Sequence, residues 1–161
     1  MALTVGTDAY ETLANVRTYW ADRGDTAWAA LTDADAEVYI RKATDWVDRT
    51  YSFIGDKATA AQRLKWPRTD AVVESFTLSS TEIPWQVEEA TAQVAEMFRL
   101  GTYDMEGIVT DDAAAISKQK VDVIEVQYDT SKRLGSGDIP SHVYEILRPV
   151  ILGNSGGLLR A

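Results

Sequence analysis

The strongest constraint on fold is a set of apolar stripes at helical spacing, each with its own start and stop signals. Leu13, Val16, Tyr19 and Trp20 share one face of a segment that Thr12 can cap and Gly24 can end, predicting a helix over 13–23. Thr32-Asp33-Ala34-Asp35 is a capping-box-like start, with Asp where Glu is usual, for a helix reaching Tyr51. Its stripe is Ala36, Ile40, Ala43, Val47 and Tyr51, flanked by Tyr39 and Trp46. Pro84 suits the first position of a third helix running to about Tyr103, with Val87, Ala90, Val94 and Met97 on one face and Phe98 and Leu100 widening it. Pro140 opens a last helix whose buried face is Val143, Ile146, Leu147, Val150 and Ile151, with Pro149 as a kink or final turn. Stripes of this kind are stable only when buried against one another, so the fold class is mainly α, a small helical bundle.

The segments between carry less order. Residues 1–11 read as an extended N-terminal arm, and Asp25 to Leu31 as a short apolar bridge. Ala58 to Leu64 is predicted as a short helix closed by Pro67. Asp70 to Ser80 reads as loop with a brief extended piece at Val72-Val73. Asp104 to Ala115 holds four acids and no base, the composition of an exposed loop. Within 116–129 the period changes to alternation, giving either a short β-hairpin, Ser117–Val121 with Ile124–Tyr128 turning at Asp122-Val123, or one bent strand. Residues 153–161 form a glycine-bearing C-terminal arm that ends in two leucines and an arginine. The expected organisation is one domain, with arms at 1–11 and 153–161 around a core at 12–152.

A chain of 161 residues can bury a real core within one domain. The net charge is −9, which argues against gripping nucleic acid, because phosphate binding needs clustered Lys and Arg. The absence of cysteine removes disulfides, thiolate catalysis and cysteine metal sites. No apolar run approaches the roughly 20 residues of a membrane span, and Met1 to Val5 lacks a signal peptide's basic start, so no membrane association is expected.

No residue set suggests catalysis. His142 is the lone histidine; a triad needs an orienting acid and a facing nucleophile, and adjacent Ser141 does not supply that geometry. The acid groups Asp111-Asp112 and Asp33/Asp35/Glu37 lack calcium-loop spacing. Gly153, Gly156 and Gly157 follow a helix, whereas phosphate-cradling loops precede one. The expectation is therefore no enzyme, no metal and no cofactor. Two features remain. In Gln62-Arg63-Leu64-Lys65-Trp66-Pro67-Arg68 an aromatic sits among three bases, which could stack single-stranded DNA, or Trp66 and Leu64 could plug a gap between helices; burial is the favoured reading. The C-terminal arm cannot bury Leu158 and Leu159 well in its own core, so it suits docking into a partner.

The string from Ala21-Asp22-Arg23-Gly24 through Ala27–Leu31 resembles a tailed-bacteriophage family labelled DnaT-like single-stranded DNA-binding proteins. The likeness continues in Asp33-Ala34-Asp35, Arg41–Asp45, Gln62–Arg68, Ile83-Pro84, Ser117-Lys118, Lys120-Val121, Ile124–Tyr128 and Gly156–Ala161; the turn Asp122-Val123 departs from it, since the family pattern would place a glycine there. That family is similar in arrangement to phage head–tail connector, or head-completion, proteins. The resemblance implies a virion protein of the head–tail neck, made in the host bacterial cytoplasm. It implies a ring of about twelve identical subunits beneath the portal protein, with a stopper or tail-completion ring on the other side and double-stranded DNA passing through the lumen. Gly153, Gly156, Gly157, Leu158, Leu159 and Arg160 would form the portal-docking tail, and Gln62, Leu64, Trp66, Pro67 and Arg68 a structural motif. The alternative implied by the family's label is a single-stranded DNA-binding replication accessory protein.

Overall fold

A computed structural model describes residues 2–104, 107–108, 118–121, 124–127 and 140–152. Among the described residues five helices carry the fold: α1 (Leu13–Ala21), α2 (Ala27–Ala30), α3 (Asp33–Thr50), α4 (Trp85–Leu100) and α5 (Ser141–Leu147). The class is mainly α, as the stripes require.

The helix ends follow their capping chemistry. Thr12 accepts a hydrogen bond from Asn15 N at 3.1 Å, and Thr32 one from Asp35 N at 3.2 Å. α4 stops at Gly101, whose φ of +67° is the left-handed conformation that favours glycine. The expected apolar bridge before α3 contains the single turn α2. Arg17 braces it, donating to Trp28 O at 3.2 Å and Leu31 O at 2.9 Å.

α3 and α4 form the centre of the bundle, and α5 packs on α4. Ala36, Ile40, Ala43, Val47 and Tyr51 are buried, as are Val87, Ala90, Val94, Val143, Leu147, Val150 and Ile151. One polar pair crosses this core: buried Trp28 donates its indole N–H to Glu96 at 2.7 Å. Leu100 departs from its expected place on the α4 stripe and is 57 % exposed. Its offset of three from Met97 carries it round to the solvent side as the helix ends.

The N-terminal arm lacks helix, as expected, but it is not detached. Ala9 and Tyr10 are fully buried. Asp8 pairs with Arg41 of α3 at 3.0 Å, and Tyr10 N donates to Thr44 at 3.2 Å.

Short antiparallel pairs fill the connections: β1 (Asp56–Lys57) with β2 (Arg68–Thr69), β3 (Val72–Val73) with β4 (Phe76–Thr77), and β5 (Tyr103–Asp104) with β6 (Gly107–Ile108). The fourth pair, β7 (Lys118–Val121) with β8 (Ile124–Gln127), is the hairpin alternative of the sequence reading, with Val121 opposite Ile124. The predicted helix at 58–64 does not form. Thr59 N bonds instead to the Gln62 side chain at 2.8 Å, and Ala58 N to Pro67 O at 3.2 Å. These bonds tie the start of the segment to Gln62 and Pro67 in a turn.

Candidate functional site

The Gln62–Arg68 motif faces inward. Trp66 is fully buried and Leu64 is 1 % exposed. The Trp66 ring meets Phe53 edge-on at 5.7 Å. The peptide between Trp66 and Pro67 is cis.

Apart from the Trp66 indole N–H, which finds no acceptor among the described residues, the polar side chains of the motif have structural partners. The Gln62 amide donates to Leu64 O and Pro67 O, both at 2.9 Å, and so closes the turn that replaces the expected helix. Lys65 sends its ammonium to Tyr51 O at 2.6 Å, while its backbone N–H reaches Asp48 at 2.7 Å. The Tyr10 hydroxyl also donates to Asp48. Burial, then the neighbouring Asp48 carboxylate, pushes the Tyr10 pKa upward, which keeps this hydroxyl a donor. Arg68 donates to Ile54 O at 2.6 Å, to Lys65 O at 3.2 Å and to Gly55 O. Arg63 is the most exposed of the three cations and pairs with Asp45 at 3.0 Å.

Gly55 is required where Arg68 grips it. Its φ is +74°, and a Cβ there would lie 2.4 Å from Thr69 O and 2.9 Å from Ala71 N. The backbone of 69–71 passes against Gly55 and leaves no room for a side chain.

The segment so held, 52–55, in turn holds the far end of the chain. Leu152 N donates to Ser52 O at 2.8 Å, Ile54 N to Val150 O at 3.0 Å, and Phe53 pairs with Ile151 as an antiparallel bridge. The motif thus clamps residues 52–55, and those residues clamp 150–152, directly before the expected docking segment. Sequence inspection separates these pieces by more than eighty residues and offers no signal that they meet. The docking residues Gly153, Gly156, Gly157, Leu158, Leu159 and Arg160 lie outside the described residues.

Of the five tryptophans, Trp28, Trp46 and Trp66 are buried, Trp20 is half-buried, and Trp85 is 62 % exposed on α4. Trp85 borders an open groove of about 380 Å³ between α1 and α4, together with Glu11, Tyr19, Asp22, Glu88 and Glu89. Tyr19 donates to Glu89 at 2.9 Å, and Arg23 lies over the Tyr19 ring at 3.4 Å. Partial burial, then the nearby Glu11 and Glu82 carboxylates, raises the Glu88 pKa to about 7. Phe76, Val72 and Val38 are further exposed apolar side chains. His142 is exposed at the start of α5. Among the described residues no group of three His, Cys, Asp or Glu side chains gathers as a metal site would, and no helix is long and apolar enough to cross a membrane.

The model of one protein family, described as "Putative DnaT-like ssDNA binding protein", matches residues 2–161. No curated protein and no solved structure matches the chain. The chain belongs to that family.

Proposed function

We propose that this member of the DnaT-like family is a structural assembly subunit: a head–tail adaptor of a tailed bacteriophage that forms a ring under the portal and extends the DNA channel. The observation that carries the reading is the placement of the Gln62–Arg68 motif. Its indole lies in the core, and Lys65 and Arg68 are bound to backbone carbonyls rather than offered along a groove. A single-strand binder needs the reverse, exposed rings interleaved with free cations. The same motif serves as an anchor for residues 150–152, directly before the proposed docking segment, which an arm bearing pull from a partner needs.

The −9 charge also favours this reading, because an acidic wall lets duplex DNA slide without adhering. Exposed Trp85, Phe76 and Leu100 suit contact with neighbouring subunits or with a stopper or tail-completion ring. In this account Leu158, Leu159 and Arg160 dock into the portal, and many arms acting together supply avidity. Assembly involves no covalent chemistry, metal or cofactor. The protein is made in the bacterial cytoplasm and resides in the virion neck.

The family's description favours a second reading, a single-stranded DNA-binding replication accessory protein. Fluorescence anisotropy with labelled single-stranded DNA separates the two. The adaptor reading expects no salt-sensitive binding, whereas the accessory reading expects affinity that falls steeply as salt rises.

A further inference from the structure

Two surface features on different faces of the bundle complement each other. The first is the α1–α4 groove. Four carboxylates line it, from Glu11, Asp22, Glu88 and Glu89, against one cation, Arg23, and the exposed Trp85 indole forms part of its wall. The second is the outward side of α3, away from its buried Ala36–Ile40–Ala43–Val47 stripe. Val38, Lys42 and Arg49 stand there at helical spacing, all exposed. Neither Lys42 nor Arg49 has an ion-pair partner among the described residues.

The cation pair also fits within the length of the groove. Lys42 and Arg49 are seven residues apart, about 10 Å along the helix axis. The α1 side of the groove is longer, from Glu11 to Arg23, and its α4 side runs from Trp85 to Ala92. Two cations two turns apart therefore face a trough with carboxylates on both sides, Glu11 and Asp22 on one and Glu88 and Glu89 on the other. Both features sit on one chain, so the contact they make is between unlike faces of identical copies. Such a contact repeats head to tail and closes into a ring when its rotation allows.

We propose that the Val38–Lys42–Arg49 side of α3 in one copy docks into the α1–α4 groove of the next, its cations meeting the Asp22 and Glu88 carboxylates and Val38 covering the Trp85 indole. This contact rests on the self-assembling reading given above. The occupant is a second copy because the local match of sign opposes the general repulsion between two −9 molecules.

The test is a charge exchange followed by analytical ultracentrifugation of the full chain in near-physiological salt. The first variant is Lys42→Glu with Arg49→Glu; the second is Asp22→Lys with Glu88→Lys. Each alone sets like charges face to face, and self-association should weaken at least about tenfold in Kd. Mixed in equal amounts, the acidic stripe of one variant meets the basic groove of the other, and the intact faces also pair, so association should return. Circular dichroism and thermal melting check that each variant is folded. If a reversal melts the protein, the milder Lys42→Gln with Arg49→Gln gives the same single-variant readout.

A folded variant that assembles like wild type would overturn the contact, as would a mixture that stays dissociated. A wild-type chain that remains monomeric at every concentration would instead sink the self-assembling reading, and the contact with it. Wild-type assembly untouched by the exchanges removes the contact alone.

Discussion

Replacing Trp66 with alanine tests whether the aromatic–basic motif is core or binding surface. Trp66 is fully buried and stacks edge-on against Phe53, which pairs with Ile151 directly before the expected docking segment. Truncating a buried Trp costs about 3–5 kcal/mol in lost transfer and cavity energy. Loss of the aromatic pair adds about 1 kcal/mol. One gain offsets this: the Trp66 indole N–H finds no acceptor among the described residues, and its removal returns about 1–2 kcal/mol. The expected net destabilisation is about 3–4 kcal/mol. Urea unfolding followed by far-ultraviolet circular dichroism measures it without depending on the remaining tryptophans. The midpoint should fall while the slope stays constant. A loss below about 1 kcal/mol would refute the buried placement, because a solvent-facing stacker contributes little to stability. If that neutral variant also lost affinity for single-stranded DNA, the accessory reading would replace the adaptor.

Gly55→Ala should destabilise by about 2 kcal/mol or more, since it combines a left-handed φ with a Cβ only 2.4 Å from Thr69 O; the same urea titration reads it. Glu88 should give the stability curve a negative slope with pH. Its folded pKa of about 7 lies above the ordinary 4.5, so the folded state keeps a proton that the unfolded chain has lost. Its contribution is full below pH 4.5 and is lost as pH rises through about 7. Glu88→Gln should flatten this window and stabilise the protein at pH 8 by about 1 kcal/mol, after allowance for solvent screening at a half-buried site. An unchanged pH profile would remove Glu88 as its source. Deleting residues 153–161 should leave the melting temperature within error of wild type and abolish portal attachment, as read by co-sedimentation. Truncated protein that still attaches would place docking elsewhere.

The helices were legible because their signals are local. Thr12 and Thr32 cap where expected, and the stripes of α3 and α4 mark the faces that meet. The shortfalls arise where side chains reach across the sequence. Residues 58–64 have helical composition, but Thr59 bonds to the Gln62 side chain and Ala58 to the Pro67 carbonyl, tying the segment into a turn. The N-terminal arm looks unstructured, yet Tyr10 fits into the core through Thr44 and Asp48, contacts no window of residues can display. Burial of Trp66 was the favoured expectation, and the structure bears it out. What Lys65 and Arg68 do was hidden, because a guanidinium bound to carbonyls of residues 54 and 55 leaves the same composition as one facing DNA. The groove is not legible in sequence because Trp85 and Glu88 look like an ordinary helix start until Tyr19 of α1 and Asp22, just past its end, lie beside them.

The most direct test of the adaptor account is electron microscopy of the purified chain mixed with isolated portal rings, paired with single-stranded DNA binding on the same preparation. The account predicts a ring of this protein seated on the portal, with its C-terminal arms ordered in portal grooves and no salt-sensitive affinity for DNA. Bare portal rings, together with salt-sensitive binding to single-stranded DNA, would contradict it.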